Sequence, residues 1–253
     1  MLKILDYQLI VLVLTLGFMV FCVWLGGIGV KRFRQPNAEH RDDFAIVLSA
    51  TLTLLALIIG FTFSMATVRY DQRKNLEEEE ANAIGTEYLR AGLLPAADAE
   101  KARALLRDYY EQRILFYTIR DGEQMIGINA RMVQLQNELW ESVNSPAANN
   151  PTPTVALAVS GMNDVINSQG YAQAAAWNRI PTAAWLLMAI IAAFCHLLFG
   201  FGTRDARGER ILLFVLPLVT ALSFFLIADI DSPRGGVIRV YPENLTSISG
   251  SLR

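Results

Sequence analysis

Charge is what this chain has least of. Lys, Arg, Asp and Glu together make up 18% of its 253 residues and the net charge at pH 7 is −2, which leaves no electrostatic footprint for a polyanion. No Lys/Arg-rich tract with interleaved aromatics is present, so nucleic acid is excluded as a partner. Cysteine is scarcer still. Cys22 and Cys195 each lie inside an apolar run, where a thiol behaves as a small buried hydrophobe, so neither a disulfide framework nor a cysteine metal site is indicated. The two histidines, His40 in a polar connection and His196 alone in an apolar run, form no cluster with other ligating residues. No Ser/His/Asp, Cys/His, phosphate-loop or zinc spacing stands out. An enzyme has no constellation to rest on, and no cofactor is required. Strand-like alternation and internal repeats are absent too.

What is present is apolar length. Hydrophobic residues make up 53% of the chain and the mean hydropathy is +0.32, values of the polytopic membrane class. The central stretch is Phe44 to Ala91. From Phe44 to Ala66 no side chain ionises, and about 23 helical residues cross a hydrocarbon core of about 30 Å. Beyond it come Arg69, Asp71, Arg73, Lys74 and Glu77 to Glu80, with no Pro or Gly between Phe61 and Ile84. The simplest reading is one helix that leaves the bilayer and runs on in water to about residue 91, where Gly92 and Pro95 end it.

Three further spans are expected. The first covers roughly 8–30; its apolar run from Leu9 to Val30 is longer than a signal-peptide core and lacks a small-x-small cleavage site. The third covers about 183–201, after Arg179-Ile180-Pro181, and the fourth about 211–228, with Pro217 predicting a kink. Between spans two and three the chain is polar but helically periodic. Leu105, Leu106, Tyr109, Tyr110, Arg113 and Tyr117 form one stripe, Met125, Ile128, Met132, Leu135 and Leu139 a second, and Val155, Val159, Met162 and Ile166 a third. Asp121-Gly122 and the Asn149 to Pro153 segment separate them. The fold class is therefore all-α: residues 1–66 carry spans one and two, 67–181 a helical extramembrane domain, 182–228 spans three and four, and 229–253 a tail that opens with a turn-rich segment.

Candidate residues follow from this layout. Arg69, Arg73 and Lys74 line a vestibule or anchor the helix at the headgroups. Most of the glutamate run reads as a solvated face, with Arg73 and Glu77, and Lys74 and Glu78, at i,i+4 spacing. Glu80 and Glu87 differ, because they share a stripe with Leu76, Ile84 and Ala91 and are candidates for buried carboxylates, with Arg113 as a partner. Asp229 and Asp231 are weak candidates for a cation site; a helix-terminating turn is the plainer account. His196 has no carboxylate in its span and reads as a core histidine. Orientation is undecided by charge. Lys31, Arg32, Arg34, Arg41, Arg204, Arg207 and Arg210 in the short connections outweigh Lys3, but Arg69, Arg73, Lys74, Arg179, Arg234 and Arg239 flank the other side.

Three separated segments carry a resemblance. Gly60-Phe61 with Arg69-Tyr70, Arg73, Asn75 and Leu76 beyond it, then Asn178-Arg179-Ile180-Pro181, then Asp231-Ser232-Pro233-Arg234-Gly235, resemble in content and order the bestrophins, particularly bacterial ones. The segment from Glu77 to Leu89 is similar to the divergent bacterial branch known for a bestrophin-like domain. The resemblance implies a homopentameric ion channel in a bacterial inner membrane, with five copies of span two around one pore, and with both termini and residues 67–181 in the cytoplasm. It places a hydrophobic neck at Thr53, Leu57 and Phe61, with Met65 one turn on; Thr53 stands where a bulky apolar residue is expected. The acidic pair Asp229 and Asp231 is a poor match to the eukaryotic calcium clasp. Positions 53, 57, 61 and 65 share one helix face, which spacing alone assigns equally to lipid or to neighbouring helices. The expected partners are copies of the same chain, the lipid bilayer and permeant inorganic ions. The alternative is a non-conducting membrane scaffold or sensor whose helical domain binds a partner.

Overall fold

The structure, a computed structural model, describes residues 8–32, 40–202 and 210–252, and no strand occurs among them. The helices are α1 (Gln8–Arg32), α2 (His40–Arg90), α3 (Ala96–Thr118), α4 (Gly122–Asn149), α5 (Pro153–Trp177), α6 (Thr182–Gly202), α7 (Arg210–Asp231) and the short α8 (Glu243–Ser247). Four helical stretches among these residues are long and apolar enough to cross a membrane. The connections that carry Glu39, Arg34, Arg204 and Arg207, and the N-terminal segment with Lys3, lie outside the described residues.

The chain divides into two compact units, residues 1–68 with 179–238, and residues 69–178 with 239–253. α2 contributes to both. The tail is also divided, its first ten residues belonging to the first unit and the remainder to the second.

In the first unit α1 packs on α6 and α7. Val11, Met19, Cys22 and Gly26 repeat at helical spacing and are buried, as are Met188, Ala192 and Cys195 of α6 and Ala221, Phe224 and Ile227 of α7. The closest approach is made by two glycines. A Cβ at Gly26 would overlap the Leu197 carbonyl, and one at Gly200 would overlap the Val23 carbonyl. Reciprocal glycines let two apolar helices touch backbone to backbone, which in lipid supplies the van der Waals contact that a hydrophobic effect cannot. Trp185 and Phe224 meet edge-on at 6.2 Å. α7 is helical through Pro217 and continues to Asp231, three residues beyond the expected end. Asp229 and Asp231 thus sit in its last turn rather than in a turn-rich tail.

The second unit is a bundle of α3, α4 and α5 with the outer part of α2 and the tail. Its core joins Ile84 and Tyr88 of α2, Leu106 and Tyr109 of α3, Leu135, Leu139 and Val143 of α4, Val155, Ala158, Met162 and Val165 of α5, and Leu245 of α8. Local signals set the ends. Asp121 caps α4 by accepting from the Glu123 N–H at 3.0 Å, so it opens that helix rather than closing α3, which has already ended at Thr118. Thr152 caps α5 by accepting from the Val155 N–H at 3.2 Å, with Pro153 in its first turn. The expected α4 stripe is buried throughout. On α5 the buried face is rotated toward small residues: Ala158, Gly161, Val165 and Ala172 are buried, whereas Val159 and Ile166 are only partly so.

Candidate functional site

α2 presents two faces over its whole length. In the membrane half Leu55, Thr62 and Ala66 are buried, while Leu57 and Phe61 are 53% and 65% exposed and Thr53 and Met65 are exposed beside them. The face that carries positions 53, 57, 61 and 65 is therefore uncovered among the described residues of the single chain. Thr53 does not add a free hydroxyl to it. Its Oγ1 donates to the Ser49 carbonyl at 2.8 Å, the back-bonding that lets a threonine sit in an apolar helix, and Thr62 does the same to Ile58 at 2.8 Å. A Cβ at Gly60 would meet nothing within 4 Å, so the surface beside the Phe61 ring is open.

Beyond the membrane half the buried face turns ionic. Arg69 is half-buried, Lys74 is exposed, and Arg73, Glu77, Glu80 and Glu87 are all buried. The glutamate run is split by helical geometry: Glu78 and Glu79 face out and Glu77 and Glu80 face in. Only half of it is the solvated face that composition suggests.

The three inward carboxylates have different surroundings. Glu77 accepts from the Asn244 amide at 2.7 Å and from the Leu245 N–H at 2.9 Å, so it holds α8. Burial raises its pKa, and those hydrogen bonds oppose the rise. Glu80 forms a two-pronged ion pair with Arg113, Nε to one oxygen and Nη2 to the other at 2.9 Å, and also accepts from the Tyr117 hydroxyl at 3.0 Å. The guanidinium lies 4.2 Å from the Phe116 ring centroid, and its Nη1 reaches Met132 Sδ at 3.1 Å. Burial works against the charge on Arg113, but Glu80 outweighs it and the pKa rises. The Tyr109 and Tyr117 hydroxyls are pushed up by the same burial. Among the described residues Glu87 has no hydrogen-bond partner for either oxygen, and burial pushes it up to about 8, with Arg90 pulling down and Asp164 pushing up.

Asp229 and Asp231 are occupied by backbone. Asp229 accepts from the Val237 N–H at 3.0 Å and the Ile238 N–H at 2.7 Å, over a turn at Gly236, whose φ of +77° and lack of space for a Cβ require glycine. Asp231 accepts from the Ile180 N–H at 3.0 Å and from Arg179 Nε at 3.4 Å. Among the described residues no group of three or more His, Cys, Asp or Glu could hold a metal. His196 is buried, and its Nδ1 lies 2.6 Å from the Ala192 carbonyl one turn back, consistent with a packed histidine.

Sequence reasoning picked out Glu80 and Glu87 by their stripe but missed Glu77, whose partners lie 167 and 168 residues away. It also left unconnected the segments around Ile180 and Asp231, which the structure joins.

The sequence profile of the Bestrophin-like domain matches residues 12–245. No curated protein matches the chain by sequence. Among solved structures, a bestrophin homologue from Klebsiella pneumoniae, in a single-substitution variant, is similar with a TM-score of 0.69 at 15% identity over 95% of this chain and 97% of that one. A second variant gives 0.66 at 15% over 95% and 97%, and another structure of the Klebsiella pneumoniae homologue gives 0.62 at 14% over 95% and 96%. At these identities the likeness is one of fold, and it covers both chains almost end to end. With a profile match over nearly the whole sequence, four apolar helices and this fold, the chain is a membrane protein and belongs to the bestrophin-like family.

Proposed function

We propose that this protein is a passive ion channel, a symmetric homo-oligomer with five copies of α2 around a central pore. The observation that carries this reading is the outward face of α2. Its membrane half buries only one narrow side, and Thr53, Leu57, Phe61 and Met65 belong to the broad apolar surface left uncovered among the described residues. Rings of Leu57 and Phe61 would form an apolar constriction that gates by dewetting and passes hydrated ions when it widens. Back-bonding of Thr53 to Ser49 satisfies its hydroxyl within the helix, so it can stand in the same neck without a free polar group. Residues 67–181 form the vestibule, with Arg69, Arg73 and Lys74 at its entrance. Those residues and both termini lie in the cytoplasm of a bacterial cell, on the family resemblance. Residues 1–66 and 182–228 are the membrane part, 229–253 the cytoplasmic tail. Inorganic ions permeate, and the channel needs no cofactor and catalyses no reaction.

The test is single-channel recording of purified protein in planar bilayers under an asymmetric salt gradient, for wild type and Phe61→Ala. Discrete openings whose conductance or open probability changes in Phe61→Ala support the channel, and the reversal potential gives the sign of the permeant ion. Silence in both, with protein shown to be folded and oligomeric, rejects it. A second reading, a non-conducting scaffold or sensor that docks a partner, is favoured by one observation. Ile126, Val133 and Trp140 recur every seven residues on the exposed side of α4, a stripe suited to a partner helix.

A further inference from the structure

Glu87 stands apart from the other buried carboxylates of α2. Its side chain is 0% exposed, yet neither oxygen finds a donor, whereas Glu77 and Glu80 on the same face are each held by at least two donors. It faces Gly161 of α5, and a Cβ there would overlap the Glu87 carboxylate and crowd Arg90. α5 thus lies this close to α2 only because position 161 has no side chain. The charged groups that bear on Glu87 are Arg90, on the next turn of its own helix, and Asp164 of α5, which pair with each other at 3.9 Å. Both are substantially solvated, at 35% and 62% exposure, so water screens much of what they add.

A buried carboxyl without donors tolerates the neutral form and not the anion, because a desolvated, unpaired charge is among the most costly things a protein can bury. We propose that Glu87 is a proton-binding site, and that loss of its proton loosens α5 from α2 so that water reaches the carboxylate. The occupancy of this one site then sets how tightly the bundle of the second unit is closed. The inference concerns that unit alone and stands whether or not the protein conducts. Burial pushes the closed-state carboxyl up to about 8, so the loosening builds up as pH rises toward that value and is complete beyond it.

The experiment is hydrogen exchange by mass spectrometry on the full-length protein in lipid nanodiscs from pH 6 to 10, corrected for the intrinsic pH dependence of exchange. It follows peptides from residues 155–170 in wild type, Glu87→Gln and Asp164→Asn. In wild type, protection of these peptides should fall by up to about tenfold per pH unit as pH rises toward about 8 and level off above it. Glu87→Gln, which keeps the shape without the proton, should stay flat and exceed wild-type protection at pH 8. Asp164→Asn removes an anion that opposes ionisation and should move the levelling-off point down. Flat wild-type protection overturns the proposal. So does a Glu87→Gln protein that follows the wild-type curve or is loose at every pH. If Glu87→Gln does not fold, wild type alone still decides, because protection that stays flat from pH 6 to 8 overturns the proposal.

Discussion

The Asp231 carboxylate at the end of α7 accepts a 3.0 Å hydrogen bond from the backbone N–H of Ile180 at the entrance to α6. Two segments with no sequence proximity are thereby fastened at one point, and Arg179 adds a charged contact to the same side chain at 3.4 Å. Asp231 and the Ile180 N–H are both buried, so the N–H relies on this carboxylate for its hydrogen bond. Asp231→Ala should destabilise the first unit by about 2–4 kcal/mol, the cost of orphaning a buried donor and losing a charged acceptor. Asp231→Asn, which keeps one oxygen for Ile180, should recover part of that loss. Thermal unfolding in detergent at fixed lipid content checks both.

Arg113 and Glu80 are fully buried and bonded to each other, so removing either leaves a bare charge in the core. Arg113→Met should cost about 3–5 kcal/mol, while the double variant Arg113→Met with Glu80→Leu should recover much of it, because two apolar groups leave no buried charge and orphan only the part-buried Tyr117 hydroxyl. A double-mutant cycle by denaturant unfolding measures the coupling. Additive losses would mean that the pair is not a unit.

At the α1–α6 crossing there is no room for a side chain on Gly26 or Gly200. Gly26→Ala and Gly200→Ala should each separate the helices at a cost of about 1–3 kcal/mol. Gly17, whose Cβ would meet nothing within 4 Å, should accept alanine without loss. Melting temperatures of the three variants test whether this contact or general helix propensity governs stability.

Stability of the second unit should depend on pH through Glu87. Its folded pKa of about 8 lies above the ordinary 4.5, so between those values the folded state holds a proton that the unfolded state has released. The sign follows directly: stability is full below about 4.5, falls as pH rises to about 8, and is flat beyond. Glu87→Gln should remove that slope and leave the protein more stable than wild type at pH 8, as measured by melting temperature across the range.

Most of the fold is legible in one dimension because it is periodic. An apolar run without ionisable residues spans wherever it is placed, and the α4 stripe from Met125 to Leu139 is buried as its spacing requires. Legibility stops where partner identity matters. On α5 the small residues Ala158 and Gly161 displaced the larger Val159 and Ile166 from the centre of the buried face. A stripe of apolar residues favours bulk, whereas a close helix crossing favours its absence. The end of α7 was misplaced by three residues because an aspartate looks like a solvated terminus until its hydrogen-bond partners are known.

The amino-acid sequence by itself determined the helical class, the four apolar stretches and the continuity of α2 from its apolar into its charged half, since these depend on local composition and on the 3.6-residue period. Tertiary structure alone decided the fate of the acidic side chains. Glu77 received α8, Glu80 received Arg113 and Tyr117, Asp229 and Asp231 received backbone N–H groups, and Glu87 received a glycine and no donor. A carboxylate's role is set by what stands within about 3 Å of it, and chain folding brings those neighbours from up to 168 residues away.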